Sequence, residues 1–379
     1  MGRKPSKGLR LRGETWHIEK QINGHLIYES TETSSLDEAE EILAERIRKI
    51  RKAKHFGVRP KRTVRDGCTR FLEDVIARNL RSLGTLTSHI EELEAQLGDR
   101  LLCGIYDETI KDFVSFLREK GNKDKTVRNK LSVLNSILKS AAGKWRDPVS
   151  KLTWLESAPI LTLPKVTDAR APYPLSWKEQ KLLSSELAPH LLECALFALN
   201  TVSRGGEVSA LEWNWEYRVP GLGEDIFVFV IPPEANKNDT EKLVVLNRVA
   251  RKVVNAQRGK HEKHVFTYAG EPILSRFGNL SGWKGARRRA SKRYRKEFGC
   301  DAPLGFQTLH FHDLRHTAGR RLRAAGISLE TRRDLFGHKT GDITSHYSVA
   351  EIKELLDAVE CIAADQQSGP TLTLIRRAA

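Results

Sequence analysis

Between residues 14 and 31, ETWHIEKQINGHLIYEST, apolar and polar side chains alternate with a period of two, and Asn23-Gly24 interrupts the run as a two-residue hairpin signal. The next run, SSLDEAEEILAERIRKIRKAKHF, changes period: Leu36, Ala39, Ile42, Leu43, Ile47 and Ile50 recur at helical spacing behind Ser35 and Glu38, which stand at capping-box distance. The two patterns predict a small sheet with one helix over residues 1–56, too short to bury much core of its own.

From about Val64 to Trp145 the spacing is helical throughout, punctuated by Gly98, Gly121 and Asn122, and predicts a domain of four or five helices over 62–146. In its last helix Lys125, Arg128, Lys130 and Lys139 accompany an apolar stripe of Val127, Leu131, Leu134 and Leu138. These cations read either as a solvated face or as a set of phosphate contacts. Residues 147–172 are rich in proline and poor in periodicity, which predicts a flexible linker. Beyond it, 173–360 reads as two helices, a strand–turn–strand around ANKNDTE, and further helices, followed by a tail over 361–379. The fold class expected is therefore multidomain and mainly α, with small β elements and a mixed α+β third domain.

Composition narrows the function. Lys and Arg number 64 against 48 Asp and Glu, a net charge of +16, which points to a polyanionic partner and above all to nucleic acid. No stretch approaches the roughly eighteen apolar residues of a membrane span, and the basic start MGRKPSKGLRLRG lacks the apolar region of a secretory signal. A cytoplasmic, nucleoid-associated location is expected. The five cysteines are scattered without a C-x-x-C pair, so reduced and mostly buried thiols are expected rather than disulfides or zinc ligands.

Candidate chemistry gathers toward the C-terminal end. FHDLRHTAGRRL sets His312 and Arg315 three apart, on one side of a helix near its N-terminus, where an anion is already favoured and a guanidinium strengthens the site. LFGHKT places His338 just past a glycine, and SHYS carries Tyr347 nine residues later. Upstream, TVSRGGEVSALEW brings Arg204 out of an apolar run, with Glu207 three positions on and able to hold its guanidinium. Each residue has an ordinary structural reading alone. What carries weight is their order.

That order, Arg-x-x-Glu, a lysine on a β-hairpin, His-x-x-Arg, Gly-His, then Tyr, resembles the catalytic domain of the tyrosine recombinase (phage integrase) family, over about Leu175 to Val359. The first two segments resemble, in shape only, the family's arm-type and core-binding domains. Two positions depart from the usual pattern: Val202-Ser203 stands where Gly-Leu is common before the first arginine, and Phe336 where Leu is common before Gly-His. The resemblance implies a site-specific recombinase that cleaves and rejoins DNA through a 3′-phosphotyrosine on Tyr347, integrating or excising a phage or other mobile element. It implies Arg204 and Arg315 as the phosphate clamp, His312 as phosphate ligand or proton acceptor, His338 as a further hydrogen-bond donor, and Lys237 as the acid for the departing 5′-oxygen, with Lys242 as the alternative. No metal, ATP or other cofactor is expected, since the arginines already neutralise the phosphate. The expected partners are double-stranded attachment-site DNA, further copies of the chain in a tetramer, and DNA-bending or directionality proteins, but no membrane. The helix after Tyr347 either packs on a neighbouring protomer or folds back on its own domain.

A non-catalytic DNA-binding regulator on the same scaffold and a type IB topoisomerase are the rival readings. The filled order of boxes argues against the first, and the separate DNA-reading segments against the second. A metal-dependent nuclease would need EDTA-sensitive cleavage and would leave no covalent adduct.

Overall fold

The computed structural model describes residues 4–22, 25–79, 83–148, 150–223, 225–236, 239–273, 277, 281–337 and 348–363. The chain divides into two compact units, Met1–Arg170 and Ala171–Ala379.

In the first unit, β1 (Leu9–Arg12), β2 (Thr15–Ile22) and β3 (His25–Ser30) form an antiparallel sheet in sequence order, with Ile22 opposite His25 across the expected hairpin. The period-two pattern puts Leu9, Ile18 and Ile27 on the face covered by α1 (Leu36–Phe56), where Ala39, Leu43 and Ile50 meet them. Four helices follow: α2 (Val64–Ala77), α3 (Leu83–Leu97), α4 (Lys111–Glu119) and α5 (Asp124–Gly143). Thr63 and Asp66 close a reciprocal cap at the start of α2, satisfying two backbone amides that a helix leaves free. The core of this bundle holds Val64, Leu93, Phe113, Leu131, Leu134 and Leu138.

The expected flexible linker over 147–172 is corrected by the structure. Leu155 and Leu161 are each only 6% exposed and belong to the helical core, and the Trp154 ring lies 5.1 Å from that of Trp145. Further along, Thr162 donates its amide and hydroxyl to the two carboxylate oxygens of Asp107, and Thr167 gives both of its donors to Asp124. These bonds hold both carboxyls below the ordinary aspartate range. Arg128 donates to the Pro164 carbonyl at 3.0 Å between them. An extended segment with its polar groups clipped in this way leaves no hydrophobic period to read.

The second unit begins with α6 (Trp177–Glu186) and α7 (Pro189–Thr201), the latter almost wholly buried at its C-terminal end. After α8 (Gly205–Ser209) come β4 (Glu216–Arg218), β5 (Phe227–Ile231) and β6 (Lys242–Val244), an antiparallel sheet ordered 4-5-6. Then follow α9 (Arg248–Asn255), the two-residue strands β7 (Thr267–Tyr268) and β8 (Glu271–Pro272), α10 (Ser281–Phe298), α11 (Leu304–Gln307), α12 (His312–Ala324), α13 (Leu329–Phe336) and α14 (Val349–Glu360). The main core joins α7, β5, α9 and α10 through Phe197, Phe229, Val254 and Trp283. In the isolated chain the last helix folds back on its own unit: Leu355, Ala358 and Val359 of α14 are buried with Val202, Leu243 and Leu335. Asn247 also bonds to the Val359 carbonyl at 2.9 Å.

All five cysteines are unpaired; Cys68 and Cys194 are buried, while Cys103, Cys300 and Cys361 are exposed, contrary to the expectation of mostly buried thiols. Among the described residues no helix is long and apolar enough to cross a membrane.

Candidate active site

The site begins where α7 stops. Val202 ends that helix in the left-handed conformation, at φ 57° and ψ 22°, and the chain runs extended through Arg204 before turning into α8. Gly205 permits this turn, since a Cβ there would lie 3.2 Å from the ring of Phe311, the residue before α12. Glu207, one turn into α8, folds back on Arg204: one carboxylate oxygen, Oε1, accepts from Nη1 at 2.5 Å, and the other, Oε2, accepts the Arg204 amide at 2.8 Å.

Two further cations converge on that carboxylate. Lys242, at the start of β6, donates Nζ to Glu207 Oε2 at 2.5 Å, and Arg315 Nη1 stands 3.8 Å from the same oxygen. Arg315 is held by carbonyls, giving Nη1 to Val202 O and Nη2 to Phe336 O at 2.6 Å each, with its guanidinium carbon 4.5 Å from the centre of the Phe336 ring. Arg315 and Lys242 are buried, whereas the Arg204 side chain keeps 20% of its surface exposed. Three cations therefore share one carboxylate. A buried excess of positive charge is tolerated when an anion completes it.

Burial alone would raise the Glu207 carboxyl, but the Lys242 ammonium and the Arg204 amide outweigh it and hold it at about 2. Burial pushes the Lys242 ammonium down to about 8 against the support of Glu207, and it pushes Arg315 down to about 10. His312 opens α12 at the surface; partial burial, then the charges of His316 and Arg315, lower its pKa, so the imidazole is neutral near pH 7. Its ring meets that of His316 edge-on at 4.9 Å. The first turn of α12 is fixed by Asp313, whose two oxygens accept the amides of Tyr173 and His310. Farther along the same helix His316, Gly319, Arg320 and Arg323 line a cavity of about 500 Å³ with Arg332 and Phe336 of α13.

The structure thus brings Arg204, Glu207 and Arg315 together and adds Lys242 beneath them. Lys237, His338 and Tyr347 lie outside the described residues. On α5, Lys125 and Lys139 are exposed and Arg128 half-buried, and the helical repeat sets all three on one side. Lys130 does not join them, which corrects its place among the DNA contacts: it is 5% exposed and its ammonium is ion-paired with Glu92 inside the bundle. The helical repeat puts it beside Val127 and Leu134, on the buried side.

Sequence reasoning passed over α10. Lys284, Arg288, Lys292 and Lys296 recur every four residues, are exposed and make no ion pair among the described residues. On the other side of the helix Trp283, Ala286 and Ala290 are buried, and Arg289 and Arg293 pair with Glu186. The run KGARRRASKRYRK carried the signal.

Known proteins share both the sequence and the architecture. Residues 181–353 match the phage integrase family. The integrase of Salmonella phage P22 is 24% identical over 378 residues, spanning 90% of this chain and 90% of that protein. The shufflon-specific DNA recombinase of Escherichia coli is 27% identical over 242 residues, covering 62% of this chain and 53% of that protein. Among solved structures, a lambda integrase tetramer bound to a Holliday junction has a TM-score of 0.51 at 16% identity, covering 91% of this chain and 99% of that one. The Tn1549 transposon integrase in complex with transposon right end DNA has a TM-score of 0.51 at 17% identity, covering 78% of this chain and 94% of that one. The structural likeness defines the class as a multidomain fold of the lambda integrase kind. The phage integrase match over residues 181–353, with the integrase and recombinase relatives, supports a tyrosine-type site-specific recombinase.

Proposed function

We propose that this recombinase cuts and rejoins DNA through a covalent phosphotyrosine on Tyr347, integrating or excising a phage or other mobile element. The phenolic oxygen attacks the scissile phosphorus, an O–P bond forms, the P–O5′ bond breaks, and the proton lost by the phenol is matched by one gained at the 5′-oxygen. Rejoining reverses the step with the 5′-hydroxyl of another strand, so the bond energy is conserved and no ATP is consumed. The observation that carries this reading is the gathering of Arg204, Arg315 and Lys242 around the single carboxylate of Glu207, three cations against one anion.

In this role Arg204 and Arg315 hold the two non-bridging oxygens and supply the charge that a metal ion supplies elsewhere. His312, neutral near pH 7, accepts the Tyr347 proton. His338 adds a hydrogen bond to the phosphate, and Lys237 protonates the leaving oxygen. The exposed row on α10 and the α5 cations Lys125, Arg128 and Lys139 contact duplex phosphates, which position the protein without reading sequence. The N-terminal sheet reads accessory sites, four copies act together on two duplexes, and DNA-bending or directionality proteins set the outcome.

A nicked duplex that loses its short 5′ fragment on cleavage traps the covalent adduct and tests the core of this reading. In buffer containing EDTA, the wild type is expected to give a protein–DNA band stable to denaturation, and Tyr347→Phe to give none. No band from the wild type, on DNA that it binds tightly, would move the reading to a non-catalytic DNA-binding regulator.

A further inference from the structure

We infer that Lys242 is a positioning residue: its ammonium anchors the Glu207 carboxylate so that Arg204 and Arg315 stay aimed at the scissile phosphate, and its stem supports the turn that leads to His338. This rests on the phosphotyrosine reading.

Glu207 Oε2 is a crossing point, taking the Arg204 amide at 2.8 Å and Lys242 Nζ at 2.5 Å, while Arg315 Nη1 waits at 3.8 Å. Lys242 therefore competes with Arg315 for one oxygen. With the ammonium in place, Arg315 is left to the carbonyls of Val202 and Phe336 and keeps further N–H groups for a phosphate. Without it, the carboxylate draws Arg315 into direct contact, turning the guanidinium off its line and lowering the pull of both arginines on an incoming anion.

The stem has a second task. Gly337 ends α13 in the left-handed conformation at φ 58°, and a Cβ there would come within 3.1 Å of Lys242 Cγ and Cδ. The aliphatic chain thus lies directly under the turn whose preceding carbonyl, that of Phe336, holds Arg315 and whose next residue is His338. A proton donor to the leaving oxygen has to reach it, yet the Lys242 side chain is 1% exposed and already spends a donor on Glu207. That geometry fits an anchor and leaves acid chemistry to Lys237.

The test is single-turnover cleavage by the full chain at saturating protein, on a duplex obtained by covalent capture of random-sequence DNA on the wild type. A second version of that duplex carries sulfur in place of the scissile 5′-oxygen, a leaving group that departs as thiolate and needs no acid. Lys242→Gln keeps a hydrogen-bond donor for Glu207; Lys242→Met keeps only the stem. Cleavage is expected to slow on the order of 10²-fold in Lys242→Met, the effect of misplacing a reacting group by about 1 Å, and less in Lys242→Gln. DNA affinity, carried mainly by the many other phosphate contacts, should fall only slightly, and sulfur should rescue neither variant while rescuing Lys237→Ala. Wild-type rates in both variants, or rescue of either by sulfur, overturns the anchor role, and the second outcome makes Lys242 the acid. If Lys242→Met does not fold, the sulfur comparison on Lys242→Gln decides alone. No captured DNA from the wild type would remove the phosphotyrosine reading itself, a failure visible before any variant is made.

Discussion

Val202 is a β-branched residue, 0% exposed, in a backbone conformation at φ 57° that favours glycine. Left-handed backbone costs an ordinary L-residue about 1–2 kcal/mol, yet the position is fixed because its carbonyl receives Arg315 at 2.6 Å and its side chain packs with Leu243 and Val359. Truncation here should break the usual order of core substitutions. Both Val202→Ala and Val202→Gly lose packing, but Val202→Gly is expected to be the more stable of the two by about 1 kcal/mol, and thermal melting of the pair checks it. A more stable alanine variant would mean that the strain is absent. Residues of this kind divide sharply by legibility. Arg204, Glu207, His312 and Arg315 could be read from their order because all lie within short boxes. Lys242 could be read only as a spare acid, since its burial exists only once β6 is laid under α8. Lys130 was legible and misread: its spacing from Val127 and Leu134 already placed it toward the core, and a lysine there needed the partner that Glu92 supplies.

At the scale of elements, the approach of α12 to α13 sets how Arg315 is held. A Cβ on Gly319 would stand 2.4 Å from Phe336 Cζ, so the helix has room for the ring only because residue 319 has no side chain. The same ring lies against the Arg315 guanidinium. Gly319→Ala should therefore cost about 1–3 kcal/mol by overpacking and slow cleavage through Arg315. Adding Phe336→Leu, which takes the ring away from that contact, should recover most of the stability, and denaturant melts of the single and double variants measure the coupling. Additive losses would show that the two positions do not meet. Elements that were long and strongly periodic were legible, as α1, α2 and α5 show. The strands β4, β7 and β8 span three residues or fewer, too few to display a period. The buried side of α10 is marked by Trp283 and two alanines, a faint apolar signal inside a run of arginines that reads equally well as solvated charge.

For the whole molecule, the net charge of +16 was visible at once, whereas the division of the chain was not. Proline-rich sequence without period suggests a loose connector, yet Leu155, Leu161, Thr162 and Thr167 tie that sequence to the helical bundle, and the first unit ends at Arg170. A fragment of residues 62–170 should accordingly melt cooperatively and at higher temperature than one of residues 62–146. Each of the two leucines removed from the core of the shorter fragment is worth about 1.5–3 kcal/mol of burial, and circular dichroism on both fragments checks the difference. Equal melting would show that the extended segment adds nothing to the bundle. When segments of related chains are exchanged, this stretch decides where a productive exchange can fall. A crossover after Trp145 would strand the bundle without its lid and burden the incoming half with unpaired leucines and threonines. A crossover at Arg170 would pass on a finished folding unit.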